Sequence, residues 1–447
     1  MADDAIGQVA DRPLQDPTAG TGTRSGGSAR SRSGGHSGNR APAGTAQRAV
    51  APTGTVGGGG EIRSLTGLRI VAAMWVVVFH FQFTPGDAYT RFWEPLRPIV
   101  SSGALGVDLF YVLSGFVITL TYLTKVGPRL RVRAALVFLW ARICRIWPVY
   151  ATVTTLFLGW LLYKQTRVTD GYLAYQTVQP DLTVWSYLQQ LLMVQLWTQP
   201  YFDGVSFVGP AWSISAEWAA YLAFPLLVLV LYRVRRLPAP VLGALAVAVM
   251  VPFAYLSYTG EEAGLRYAWL LRISCGFLAG ALTYLAVRNV GAASRLRRYA
   301  PLLTAIALVE IVLGLLWASW RAPQGGYGGV VVVMFPVVVA GLALHQTGLA
   351  KVLAHPWMVH GGRISFSIYL VHVPVFEIFW TEMALRPPLA PGTALATFLI
   401  PQVLLLVVLL GHLFYRFVEE PARVWLRRHG PKSSSVRVTP VPVAAGP

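Results

Sequence analysis

The sequence is poor in charge, in cysteine and in lysine. Only 13% of its 447 residues are charged, about half the share found in soluble domains. That excludes an ordinary water-soluble domain. Two cysteines, Cys144 and Cys275, cannot build a disulfide framework. No spacing of Cys and His suits a metal, so no metal site is expected. The first 60 residues contain no apolar run, which excludes a signal peptide there. No internal repeat of the kind that marks many transporters is present.

What fills the chain instead is apolar. Hydrophobic residues make up 55% of it, and the mean hydropathy is +0.53. Apolar stretches of about 20 residues recur, the length that spans a bilayer as a helix. They are continuous and do not alternate, so helices and not a barrel satisfy the backbone. The sequence predicts an all-α, polytopic membrane protein with about ten transmembrane helices. The spans are placed at 67–84, 103–124, 146–163, 207–232, 239–257, 267–287, 300–320, 329–347, 363–384 and 393–415. The Trp-rich stretch 183–200 is amphipathic and is expected on the surface or re-entrant. Residues 1–60, rich in Gly, Ser and Arg, read as a disordered tail. The membrane domain covers 61–428, and 429–447 form a second disordered tail.

The net charge of +18, with 33 Arg and only four Lys, can signal a nucleic-acid partner. Its distribution argues against one. With the N-terminus inside, the inner segments hold 28 Lys and Arg and the outer segments hold 7. This is the positive-inside pattern. Both termini are therefore expected in the cytoplasm of a cell that holds the protein in its inner, plasma membrane. The bilayer, not nucleic acid, is the expected partner.

Ionisable residues inside the spans are the informative ones, because a charge at the bilayer centre costs about 2.5–3.5 kcal/mol on insertion scales. In "GLRIVAAMWVVVFHF", Arg69 and His80 are eleven residues apart and share one helix face. The rise between them is about 16 Å, placing Arg69 near the inner surface and His80 near mid-membrane. Arginine suits phosphate. Histidine suits proton abstraction near neutral pH. Arg142 and Arg145 of "WARICRIWPVY" share a face at the inner end of the third span; they read as a polyphosphate grip or as ordinary anchoring. Asp108, among glycines in "GALGVDLFYVLSGF", either orients His80 or pairs with an arginine. Ser213, Ser215 and Glu217 in the fourth span, and Ser365, Tyr369 and His372 at i, i+4, i+7, either line an acceptor cavity or knit helices together.

Six stretches in order carry a resemblance. "Arg69-x10-His80", "GVDLFYVLSGF", "RICRIWPVY", "AWSISAEWAAYLAFP", "SFSIYLVHVP" and "EEPARVWLRR" together resemble the membrane acyltransferase-3 family over residues 62–428. The resemblance implies acyl transfer, expected to be acetyl, from acyl-CoA to a hydroxyl. The acceptor it implies is a carbohydrate such as an envelope glycan or exopolysaccharide, or alternatively a macrolide. No cofactor is expected to stay bound; acyl-CoA is a donor substrate. By the same analogy His80 is the catalytic histidine, Arg69, Arg142 and Arg145 would bind the CoA phosphates, and Tyr369 and His372 match a family motif. From the residues themselves, Asp108 is expected to orient His80 as the third member of a triad does, and Glu217, Tyr369 and His372 to contact the acceptor. Where the family pattern often continues Glu-Glu-Gln, this chain has Glu217 followed by Trp218 and Ala219. Two rivals from other classes are a secondary transporter or glycan exporter, which would move solute without releasing CoA thiol, and a scaffold, which would tolerate loss of His80.

Overall fold

A computed structural model describes residues 60–431, apart from 87–93, 128, 168–179, 263 and 323–327. The expected tails at 1–60 and 429–447 lie almost wholly outside the described residues. Twelve α-helices of eight residues or more organise the rest. They are α1 Arg63–Phe81, α2 Gly106–Val126, α3 Val132–Arg167, α4 Val184–Leu191, α5 Trp212–Val234, α6 Ala239–Thr259, α7 Ala268–Arg288, α8 Arg295–Arg321, α9 Phe335–Leu344, α10 Pro356–Leu385, α11 Ala394–Phe414 and α12 Glu420–His429. Among the described residues there is no strand. Nine helical segments there are long and apolar enough to cross a membrane, and Gly328–Leu344 is a shorter apolar one. The protein is therefore an all-α, multi-pass membrane protein.

The short segment can still cross. Gly328–Met334 is 3-10 helix, and α9 follows without a break. A 3-10 turn rises about 2.0 Å per residue against about 1.5 Å in an α-helix. The two pieces together reach about 29 Å, close to the hydrocarbon thickness of about 30 Å.

Two of the helix boundaries that differ from the sequence expectation position site residues. α3 starts at Val132, not 146, and runs for 36 residues. Hydropathy registers only its apolar part, while Ala, Leu and Arg in "VRAALVFLWARIC" extend the helix by propensity. α1 starts at Arg63, because Leu65 and Leu68 already have a partner to bury against (2% and 6% exposed). It ends at Phe81, where the Thr84 hydroxyl donates to the Phe81 carbonyl (2.7 Å) and Pro85-Gly86 follow. Arg69 thus lies nearly two turns inside the helix and His80 in its last turn.

Backbone proximity holds the site helices in register. α2 and α7 cross at two glycines: a β-carbon on Gly115 would meet the Phe277 carbonyl, and one on Gly280 the Val112 carbonyl. α1 and α10 pack closely in the same manner at Gly362, whose β-carbon would meet the Thr66 carbonyl. Small residues permit such contact, and in lipid this packing replaces the hydrophobic drive between helices. Farther along the same pair, the rings of Phe81 and Phe376 meet at 5.1 Å.

The stretch after α4 turns back into the protein. Met193 takes a left-handed backbone (φ 58°), and its carbonyl accepts from the Ser215 hydroxyl (2.8 Å). Gln195 is buried and donates to the Tyr150 hydroxyl at 3.2 Å. The stretch 183–200 has both an exposed and a buried part: Val184, Trp185, Leu188 and Leu192 are exposed, while Met193, Gln195 and Leu196 are buried.

Candidate active site

Three cavities follow one another through the helices. An inner vestibule is lined by the start of α1, the start of α10 and α12, including Arg363, Arg423 and Arg427. A central chamber lies between α1, α2, α3, α5 and α10. An outer cavity is lined by the end of α1, the starts of α2, α5 and α7, and the 202–204 loop.

Residues shared between cavities mark the junctions. Arg69, Arg142 and Arg145 line both the vestibule and the chamber, and so form a throat. Val107 and Tyr369 line both the chamber and the outer cavity, and form a septum. His80 and Arg272 belong to the outer cavity. Glu217 and Tyr221 belong to the chamber. Arg69 and His80 therefore share a helix face yet serve opposite sides of the septum.

The three throat arginines are not equivalent. Arg145 pairs with Glu419, which is fully buried and comes from the π-helical turn Tyr415–Glu419. The other oxygen of Glu419 accepts from the Ser367 hydroxyl at 2.7 Å. Arg69 and Arg142 form no ion pair with a carboxylate among the described residues. The Nε of each is buried without a hydrogen-bond partner. Their guanidiniums lie instead over the rings of Phe110 (5.7 Å) and Tyr122 (5.6 Å). Leaving such a donor buried and unsatisfied costs about 1–3 kcal/mol, more when it is charged.

At the outer end, Arg272 holds Asp108 with two hydrogen bonds, Nε to Oδ1 at 3.1 Å and Nη2 to Oδ2 at 2.6 Å. Its Nη1 reaches Glu262 at 3.2 Å. Of the two readings of Asp108 in the sequence, the arginine pair is the one the fold uses. The place of an orienter beside His80 is taken by another residue: His372 Nε2 lies 3.2 Å from His80 Nδ1. The Val76 carbonyl also lies 2.9 Å from that Nδ1. His372 is fully buried and does not line the outer cavity, so the acceptor-contact position expected for it is corrected to one behind His80.

Tyr369 is tied to the start of α5. Its hydroxyl donates to the Pro210 carbonyl (2.9 Å) and lies 2.7 Å from the Ser213 hydroxyl. Ser365 only knits α10, donating to the Gly362 carbonyl at 2.9 Å. Besides Tyr369, four aromatic residues, Phe79, Phe83, Phe202 and Trp212, line the outer cavity, and Phe202 stacks on Trp212 at 4.5 Å. The sequence reading assigned no role to Glu419, Arg363 or Arg427. The "EEPAR" stretch carried the signal for Glu419, but nothing local in it points to Arg145, 274 residues away.

The acyltransferase-3 family, described as an acyltransferase domain, matches residues 62–416. Acyltransferase MdmB of Streptomyces mycarofaciens is 28% identical over 413 residues, covering 84% of this chain and 95% of that protein. O-acetyltransferase OatA of Staphylococcus aureus is 23% identical over 377 residues, covering 80% of this chain. The chain spans only 57% of the length of OatA. No solved structure matches significantly.

Proposed function

The chain belongs to the acyltransferase-3 family, and we propose that it is an O-acyltransferase of the plasma membrane. It moves an acyl group, expected to be acetyl, from acyl-CoA to a hydroxyl of a carbohydrate. The observation that supports the donor side is the pair of throat arginines, Arg69 and Arg142, that have no carboxylate partner among the described residues. Arginine is suited to phosphate through its planar set of donors, and CoA is the acyl donor that brings phosphates. By the positive-inside rule this arginine-rich end is cytoplasmic, where acyl-CoA is made.

In this scheme the nucleotide end stays at the vestibule and throat. The pantetheine arm passes along α1 through the chamber and past Val107 and Tyr369. The rise from Arg69 to His80 is about 16 Å, within reach of an extended arm. The thioester then meets His80 at the outer cavity. The acceptor arrives there from the other side, against rings whose faces suit the apolar faces of a sugar. His80 takes the hydroxyl proton as the oxygen attacks the thioester carbon. The carbon–sulfur bond breaks, and the proton passes on to the departing sulfur. The products are the ester and CoA thiol.

Thiol release from acetyl-CoA by membranes carrying the wild type or His80→Ala tests this. Envelope glycan and a macrolide are offered in parallel as acceptors. Acceptor-stimulated release that vanishes in His80→Ala is expected, and the acceptor that stimulates it names the class. Full release by His80→Ala overturns the assignment of His80. Solute movement without thiol release replaces the enzyme with a transporter.

A further inference from the structure

The two buried histidines carry a defined arrangement of protons. His372 Nδ1 lies 2.6 Å from the backbone carbonyl oxygen of Tyr369. A carbonyl only accepts, so the proton of a neutral His372 sits on Nδ1 and its Nε2 holds a lone pair. That Nε2 faces His80 Nδ1 at 3.2 Å. The Val76 carbonyl faces the same His80 nitrogen at 2.9 Å. With two acceptors aimed at it, His80 Nδ1 carries a proton, and the basic nitrogen of His80 is Nε2.

The reverse pattern is disfavoured. A doubly protonated His372 would leave a lone pair on His80 Nδ1 pressed against the Val76 oxygen. It would also place a charge in a site with no exposed surface, between the rings of Tyr369 and Phe376. A buried charge without a counter-ion is expensive.

We infer that His372 is a positioning residue for His80, holding it in the Nδ1–H tautomer and supporting the imidazolium that forms during transfer. This rests on the reading of His80 as the base. When the acceptor hydroxyl gives its proton to His80 Nε2, the new oxygen–acyl bond forms and the acyl–sulfur bond breaks. The imidazolium then donates through Nδ1–H to His372 Nε2 and to the Val76 carbonyl. Its Nε2 proton goes to the departing sulfur, and both rings return to their starting forms. A carboxylate fills this position in the familiar serine triad. Here an uncharged ring fills it, which spares the membrane interior a second buried charge. The other ring nitrogen of the ligand or base fixing its tautomer is a general role for histidine contacts.

The test uses the full chain in lipid nanodiscs, with the nitrogen-15 spectrum of labelled histidine as one readout. His80→Ala assigns the His80 signals. The expected result is that wild-type His80 is protonated at Nδ1 and not at Nε2. His372→Gln keeps a side-chain acceptor and is expected to keep that tautomer. His372→Leu removes the acceptor and is expected to admit the Nε2–H form.

Kinetics with acetyl-CoA and the acceptor that stimulates thiol release give the second readout. His372→Leu is expected to lower kcat about 10- to 100-fold with both KM values unchanged. That is less than the roughly 10⁴-fold effect of a lost tautomer in a serine triad, because the Val76 carbonyl remains. His372→Gln is expected to recover most of the loss. An Nε2–H tautomer in the wild type overturns the inference, and so does a raised acceptor KM with normal kcat in His372→Leu. If His372→Leu fails to fold, the wild-type tautomer and His372→Gln still decide. Full activity in His80→Ala overturns the base reading itself, a different result from full activity in His372→Leu with an inactive His80→Ala.

Discussion

Arg272 grips both carboxylate oxygens of Asp108 from the neighbouring helix, at 3.1 and 2.6 Å, and Asp108 has no exposed surface. Breaking a buried pair by removing one partner leaves the other charge uncompensated, at a cost of about 3–5 kcal/mol. Glu262 remains on Arg272 at 3.2 Å, which softens the loss. Asp108→Asn is therefore expected to lower the melting temperature in detergent while the folded fraction keeps most of its kcat. The double variant Asp108→Asn, Arg272→Gln is expected to regain part of the stability. A normal melting temperature with a collapsed kcat would return Asp108 to a catalytic role.

The throat arginines predict a split. Arg142→Ala removes an unpartnered guanidinium and is expected to raise the donor KM about tenfold, equivalent to about 1.4 kcal/mol, with little change in melting. Arg145→Ala strands Glu419 without its counter-ion and is expected to melt earlier. Steady-state kinetics against acetyl-CoA, paired with melting curves, separate the two. Equal behaviour of both variants would contradict the difference in pairing.

The crossing of α2 and α7 tolerates no β-carbon. Gly280→Ala and Gly115→Ala are each expected to destabilise by about 1–3 kcal/mol or more, the range for overpacking, since the obstructing atoms are backbone carbonyls. Gly243, which meets nothing within 4 Å, serves as the control. Melting of the three variants side by side checks this.

Glu262, in the loop after α6, has its carboxyl pushed up by burial, although Arg272 pulls it the other way. A carboxyl raised in the folded state contributes stability when protonated, and that contribution fades as pH rises through its folded value. Relative to Glu262→Gln, the wild type should therefore gain stability on acidification from neutral pH toward the ordinary carboxylate range. Paired melting curves across that window check the sign. A relative loss on acidification would mean that the ion pair with Arg272 outweighs burial.

The sequence made the helices legible because hydropathy and length are local. Each of the ten expected spans has a counterpart in an apolar helical segment. The shared face of Arg69 and His80 was equally readable, since helical spacing fixes it. The partners of those faces were not. Asp108 meets Arg272 across 164 residues, Arg145 meets Glu419 across 274, and His80 meets His372 across 292. A helix face announces that it has a partner without saying which one. The start of α1 was placed late because hydropathy discounts Arg63 and Ser64, although the helix begins there.

A protein with openings at both ends also has to act as an insulator. Each unit charge driven across a membrane potential of 100 mV releases about 2.3 kcal/mol, so an unbroken thread of water would drain the cell's gradient. Val107 and Tyr369, which border both the chamber and the outer cavity, mark where such a thread would have to be interrupted, and the hydrogen bonds of the Tyr369 hydroxyl with Pro210 and Ser213 fix that ring in place.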